Sequence, residues 1–176
     1  MKLLAFAASN SSKSINKKLV SYAAGLVEGA QVEVLDLNDF ELPLYSSDRE
    51  AQLGQPALAK AFLQKIADSD AILISFAEHN GSYSAAYKNL FDWCSRINPK
   101  VYQNKPAVFL STSPGPGGAA NVLASAKTSA PYFTANLKAS LSVPRFNENF
   151  DAEAGALRNA DLQKQLLDAL SLLNAA

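Results

Sequence analysis

The sequence predicts an α/β protein in which a parallel five-stranded sheet, ordered 2-1-3-4-5, is covered by helices on both faces. Three observations carry this expectation. Short apolar runs alternate five times with stretches whose apolar residues recur at helical spacing. The runs are mostly continuous rather than alternating, as strands buried on both faces require. Finally, 176 residues that are 48% hydrophobic, with no low-complexity tract, suit one domain with a single sizeable core, so 1–176 is read as one unit.

Residues 2–7, Lys-Leu-Leu-Ala-Phe-Ala, give the first strand. The nine positions 8–16 then hold four serines and two asparagines, and Ile15, Leu19, Tyr22 and Leu26 follow at helical spacing, so a helix starts near Ser14 and ends near Glu28-Gly29. Residues 31–36 alternate partially and suit a strand nearer an edge. Residues 37–55, with Pro43 and Gly54, lack sustained periodicity and read as a long surface connection. Within it, Leu42-Pro43-Leu44-Tyr45 is apolar enough to pack on the domain itself or on a flat ligand.

Pro56 suits the first turn of a second helix whose stripe is Leu58, Phe62, Leu63 and Ile66. Residues 71–76 are a central apolar strand, ending in a polar turn, 77–83, that contains Asn80-Gly81. Tyr87, Leu90, Phe91, Cys94 and Ile97 mark the third helix. Residues 106–111 form the fourth strand and end in the small-residue loop 112–119; a fourth helix runs from 119 to about 130, before Pro131. Residues 137–143 are the fifth strand, 144–155 a polar loop, and Leu162, Leu166, Leu170 and Leu173 a closing helix.

Composition narrows the function. Lys+Arg and Asp+Glu both number 16, so no basic field exists to attract nucleic acid or anionic lipid. One cysteine, Cys94, precludes an intrachain disulfide framework and fits a reducing compartment; with one histidine, His79, no ordinary zinc set can form. The opening apolar run is too short for a secretory segment and nothing reaches the length of a membrane span, so a cytoplasmic location is expected.

In a sheet of this order, strands one and three flank the switch point, and ligands bind outside the carboxyl ends of the strands there. Loops 8–16, 77–83 and 112–118 follow strands one, three and four and therefore converge. The first loop meets a helix N-terminus, whose unpaired N–H groups and partial positive charge suit an anion. Hydroxyls of Ser9, Ser11 and Ser14 and the amide of Asn16 would add hydrogen bonds to a phosphate; equally, serine and asparagine are ordinary capping and turn residues. Neither a Walker A motif nor G-x-G-x-x-G is present in this loop. Glycine in the other two loops lets backbone approach a planar ring, and it also suits a plain strand-to-helix turn.

Taken together, the loops resemble the signatures of the NADPH-dependent FMN reductase family. Ala8-Ser9-x-x-x-x-Ser14-x-Asn16 resembles its G-S-x-R-x-x-S-x-N phosphate loop. Glu78-His79-Asn80-Gly81-Ser82-Tyr83, followed by Lys88-Asn89-x-x-Asp92-Trp93, resembles P-E-Y-N-x-S-x-P…L-K-N-x-x-D-W. Ser113-Pro114-Gly115-x-Gly117-Gly118 resembles S-P-G-x-x-G-G. Order and spacing hold over roughly 1–143.

The resemblance implies a flavodoxin-like three-layer α/β/α sandwich that binds FMN and passes two electrons from NADPH or NADH through the flavin to a small-molecule acceptor such as a flavin or quinone. Azo compounds and chromate are rival acceptors. By position, Ser9, Ser11, Ser14, Ile15 and Asn16 would surround the phosphate, while Glu78, His79, Asn80, Gly81, Ser82, Ser113, Gly115, Gly117 and Gly118 would line the isoalloxazine. The flavin carries the chemistry, so no catalytic side chain and no metal is expected, and the resemblance implies a homodimer or homotetramer. Glu78 is read as a structural acceptor rather than a general acid, His79 as offering its backbone to the flavin and its ring to solvent, and Trp93 and Cys94 as part of a helical core or interface pattern. Three departures stand out: Ser11 replaces the family arginine, so that Lys13 or Lys17 substitutes for it or FMN binds more weakly, and Ala8 and Ala77 replace a glycine and a proline. The alternatives from other classes are a flavodoxin-type electron carrier, which the balanced charge disfavours, and a flavin-binding regulatory or assembly protein without turnover.

Overall fold

A computed structural model describes residues 1–173. Strands β1 (Lys2–Ala8), β2 (Gln31–Leu35), β3 (Ala71–Phe76), β4 (Pro106–Thr112) and β5 (Asn136–Val143) form one parallel sheet in the order β2-β1-β3-β4-β5. This is the expected 2-1-3-4-5 arrangement of the flavodoxin-like fold. Helices α1 (Ile15–Gly25) and α5 (Ala160–Ser171) cover one face; α2 (Ala57–Asp68), α3 (Ala85–Ile97) and α4 (Ala120–Ser129) cover the other.

Successive strand residues point to opposite faces, so each buried strand contributes to two separate cores. In β1, Leu3, Ala5 and Ala7 join Leu19, Val20, Leu166 and Leu170 in a mainly aliphatic slab. Leu4, Phe6 and Ala8 face the other slab, which holds Phe62, Phe76, Tyr87, Trp93, Tyr102 and Phe109. Phe62 meets Phe6 and Phe40 edge-on, each with ring centroids 5.3 Å apart, in the T-shaped geometry that aromatic quadrupoles favour. The central position of β3 follows from six consecutive fully buried residues, and the edge position of β2 from its exposed pattern.

Several local expectations are corrected. Helix α1 ends at Gly25, not near Glu28-Gly29: Leu26 and Val27 donate to Ala23 and Ala24 in tight 3₁₀-type bonds that close the helix early. The connection 37–55 is not structureless. It holds a 3₁₀ turn at Leu37–Phe40, capped by Asp36, and a short helix at Ser47–Leu53, capped by Ser46; neither is long enough to show periodicity. Pro56 is the N-cap of α2 rather than part of its first turn, and Leu58 is 40% exposed while Ala59 takes the buried place beside Phe62, Leu63 and Ile66. Helix α4 begins at Ala120, with Ala119 as a left-handed N-cap, and a 3₁₀ turn, Ala130–Phe133, carries the chain past Pro131. The loop 144–155 contains a helical turn, Phe146–Asn149, and part of a two-residue hairpin pairing Phe150–Asp151 with Ala156–Leu157. In α5, Leu166 and Leu170 are buried as the spacing requires and Leu162 is half-buried at the rim; Leu173, also buried, lies just past the helix end at Ser171.

Candidate functional site

The three unusual loops lie at the carboxyl ends of β1, β3 and β4, which are neighbours in the sheet, so the expected convergence is present. The loop after β1 is organised by its own serines. Ser9 Oγ accepts from the Ser11 N–H at 3.2 Å, the Ser14 N–H donates to Ser11 O at 3.1 Å, and Ser14 Oγ caps α1 by accepting from the Lys17 N–H at 3.2 Å. Ser9 and Ser14 are buried, whereas Asn10, Ser11, Ser12 and Lys13 are exposed. Each capping hydroxyl is used as an acceptor and so retains its own O–H to donate. The N–H groups of Ile15 and Asn16 occupy the first two helical positions, where no intrahelical carbonyl is in reach.

The Asn16 side chain is 3% exposed and does not lie among these donors. Its Oδ1 accepts from Ser75 Oγ at 2.7 Å and from the Thr112 N–H at 3.1 Å, and its Nδ2 donates to Thr112 O at 3.2 Å. The sequence expectation that this amide reaches a phosphate is thus corrected: the amide joins α1 to the ends of β3 and β4. Lys17 is also committed, its Nζ lying 2.5 Å from Asp36 Oδ2. The bond from Lys17 and the Asn38 N–H hold the Asp36 carboxyl below the usual aspartate range. Of the two lysines considered in place of the family arginine, Lys17 is ion-paired, while Lys13 is exposed and forms no ion pair among the described residues.

Residues after β3 form a tight antiparallel hairpin, with Glu78 opposite Tyr83 and His79 opposite Ser82. Asn80 at φ 53° and Gly81 at φ 77° make the turn, the two positive values that the Asn-Gly pair of a type I′ turn accommodates. His79, Asn80, Gly81 and Ser82 are exposed along the rim. Glu78 Oε2 accepts from the Val122 N–H at 2.9 Å, in the first turn of α4, where a carboxylate also meets the positive end of the helix dipole. This is the backbone N–H bond that the structural reading of Glu78 calls for. Ser84 ties the hairpin down: its Oγ donates to Ala8 O at 2.8 Å and caps α3 through the Tyr87 N–H.

The loop after β4 is shaped by its glycines. Gly118 sits at φ 59°, and a Cβ there would lie 2.2 Å from Ser142 Oγ and 3.0 Å from Pro144 N. Its carbonyl accepts from Ser111 Oγ at 2.7 Å and Ser142 Oγ at 2.9 Å. Gly115 O accepts from the Arg145 N–H at 2.9 Å, and Ser113 Oγ donates to the same carbonyl at 3.3 Å. A Cβ at Gly115 or Gly117 would meet nothing within 4 Å. Gly118 is thus fixed by packing, while Gly115 and Gly117 leave the loop backbone uncovered.

Sequence reasoning missed the hydroxyls that lock these loops, Ser75, Ser84, Ser111 and Thr112, all buried. For Ser75, Ser111 and Thr112 the available signal was a hydroxyl residue near the end of an otherwise apolar strand, and for Ser84 a serine just before a helical stripe. It also left open where 42–45 packs. Trp93 Nε1 donates to Pro43 O at 2.8 Å, Asn89 Nδ2 donates to Leu42 O at 3.0 Å, and Tyr45 meets Trp93 edge-on, so the segment is strapped to α3 with Leu44 outward. Cys94 is core, and burial pushes its thiol up to about 12.

Comparison with known proteins gives these loops a context. The family described as NADPH-dependent FMN reductase matches residues 1–148. An NAD(P)H-dependent FMN reductase of Pseudomonas aeruginosa is 30% identical over 177 aligned positions, covering 98% of this chain and 94% of that protein. An NADPH:quinone oxidoreductase of Arabidopsis thaliana is 44% identical over 92 residues, and that match spans only 45% of the plant protein. Among solved structures, the flavoenzyme NAD(P)H:(acceptor) oxidoreductase FerB of Paracoccus denitrificans superposes with a TM-score of 0.80 at 26% identity, covering 98% of this chain and 94% of that one.

Proposed function

The chain belongs to the NADPH-dependent FMN reductase family, and from that premise we propose that it is an FMN-dependent NAD(P)H oxidoreductase delivering two electrons to a small-molecule acceptor of the quinone or flavin class. The carrying observation is the meeting of three loops at the carboxyl ends of β1, β3 and β4, one of them bearing unpaired helix N–H groups.

The residues present suit FMN. The loop 9–14 offers hydroxyls, backbone N–H groups and Lys13, with no acidic side chain. The one carboxylate of the hairpin loop, Glu78, is engaged by α4. Glycine at 115 and 117 leaves room for a flat ring against backbone.

In this reading the Ile15 and Asn16 N–H groups, with the hydroxyls of Ser9, Ser11 and Ser14, hold the phosphate. The Glu78–Ser82 hairpin and Ser113, Gly115, Gly117 and Gly118 bound the isoalloxazine. Bound FMN supplies the hydride-accepting and hydride-donating ring. The protein contributes alignment, through a phosphate anchor at one end and rigid loops at the other. Glu78 keeps α4 in place and moves no proton, and His79 contributes backbone while its ring faces solvent.

The same proposal covers 1–176 as a single FMN-binding domain, with a homodimer or homotetramer as its assembly and the cytoplasm as its location. Balanced charge and a single buried thiol support a protein without nucleic-acid partners in a reducing compartment. Among the described residues no helix is long and apolar enough to cross a membrane.

The test is an absorption spectrum of purified protein with FMN, followed anaerobically by NADPH and then NADH. A perturbed bound-flavin spectrum that bleaches with a nicotinamide is expected, with reoxidation by a quinone. Bound flavin that neither nucleotide bleaches would replace this reading with an electron carrier, and absence of FMN binding would remove the flavin altogether.

A further inference from the structure

We infer that Asn16 is a positioning residue: its side chain rivets the phosphate loop to the ring-binding loop, and only its backbone N–H serves the phosphate. The inference rests on the flavin site proposed above. Three observations support it. The amide is 3% exposed and uses both oxygen and nitrogen inward. Its partners belong to two strands other than the one preceding its own helix: Ser75 lies one residue before the end of β3, and Thr112 is the last residue of β4. Both the N–H and the C=O of Thr112 are bound by this one side chain, so the root of the loop 113–119 takes its position from α1.

The consequence is a coupling between the two ends of the ligand. Removing the amide would leave the Ser75 hydroxyl and both backbone groups of Thr112 without their buried partner, which disturbs the ring loop as much as the phosphate loop. A side chain that instead touched phosphate would matter only to a ligand that carries one. FMN and riboflavin differ in that phosphate alone, so the pair separates the two roles.

The experiment measures dissociation constants of FMN and riboflavin for wild type, Asn16→Ala and Ser75→Ala by quenching of flavin fluorescence. Asn16→Ala is expected to weaken both flavins by a similar factor, roughly tenfold or more, leaving their affinity ratio within about threefold of wild type. Ser75→Ala removes one of the three bonds, leaves Asn16 in place, and is expected to weaken both flavins equally but less. It also provides the reading if Asn16→Ala fails to fold.

Asn16→Asp adds a pH-dependent readout at the same atoms, scored on protein that circular dichroism shows to be folded at both pH values, because a buried carboxyl also makes stability depend on pH. Near pH 7 its carboxylate would face the Thr112 carbonyl and riboflavin would bind poorly. On acidification to about pH 5 the buried carboxyl would protonate and donate to that carbonyl, restoring affinity, while wild type stays flat. The groups that bond the amide from β3 and β4 are neutral; the charged residues on the surrounding loops and helices include Lys13, the Lys17–Asp36 pair, Glu78, which α4 holds, and the Arg145–Glu148 pair, whose Arg145 N–H donates to Gly115 O. Riboflavin avoids the titration of the phosphate itself.

A loss confined to FMN would overturn the inference and make Asn16 a phosphate ligand. Unchanged affinity for both flavins in Asn16→Ala, or Asn16→Asp behaving as wild type at pH 7 or failing to recover at low pH, would also overturn it. Failure of the wild type to bind FMN would instead sink the proposed function, so the two failures are distinct.

Discussion

Replacing Gly118 by alanine should destabilise the protein by about 3 kcal/mol, from two sources that can be separated. The backbone at φ 59° costs a side-chain-bearing residue about 1 kcal/mol or slightly more. The added methyl would stand 2.2 Å from Ser142 Oγ and 3.0 and 3.2 Å from Pro144 N and Cα, and overpacking of this kind costs about 1–3 kcal/mol. For a chain of this size the total corresponds to a fall in Tm of about 6–12 °C. Gly117→Ala is the control: its Cβ would meet nothing within 4 Å, so a change of no more than about 0.5 kcal/mol is expected.

Ser142→Ala removes the nearer obstacle. Alone it should cost about 1 kcal/mol for the lost bond to Gly118 O, which keeps its bond from Ser111. In that background Gly118→Ala should cost only about 1–2 kcal/mol, because the backbone strain and the Pro144 contacts remain while the clash with Oγ is gone. Urea denaturation of the four proteins closes the cycle. Equal penalties for Gly118→Ala in both backgrounds would refute the argument, as would a Gly118→Ala protein as stable as Gly117→Ala.

Three further outcomes follow from the geometry. Glu78→Gln keeps an acceptor for the Val122 N–H and should retain nicotinamide oxidation within about threefold, whereas loss of a general acid would cost at least about a hundredfold; steady-state turnover decides. Cys94 should resist alkylation at pH 8 in the native protein and react fully in denaturant, since burial pushes its thiol up to about 12; labelling of the native protein detected by mass spectrometry would contradict this. Asp36 is held below the ordinary aspartate value of about 3.9, so its contribution to stability is present above that pH and lost as pH falls through the lower folded value. Asp36→Asn should therefore flatten the acid limb of the stability curve without altering its slope between about pH 6 and 8.

The sheet was legible because its strands are short apolar runs separated by helical periodicity, and the hairpin turn because Asn80-Gly81 names its own backbone geometry. The helices at Ser47–Leu53 and Phe146–Asn149 were not, since seven and four residues are too few to display a 3.6-residue period. The fate of individual polar side chains was harder still. Asn16 could be placed at a helix start but not aimed, because its partners lie 59 and 96 residues away and are brought to it by strand register alone. Glu78 was assigned an acceptor role without its donor for the same reason: Val122 belongs to a helix that starts beyond the next strand.

The division of the interior by the sheet has a practical consequence for anyone following unfolding by light. Trp93, the only indole in the chain, lies with most of the buried aromatic rings under α2, α3 and α4. The slab beneath α1 and α5 is largely aliphatic, its buried aromatics being Phe146 and Phe150. Intrinsic fluorescence therefore watches one side of the molecule. If α5 or α1 detached first, emission from Trp93 would stay native while far-UV circular dichroism had already begun to fall, and the offset between the two melting curves would measure how firmly the sheet couples its two sides.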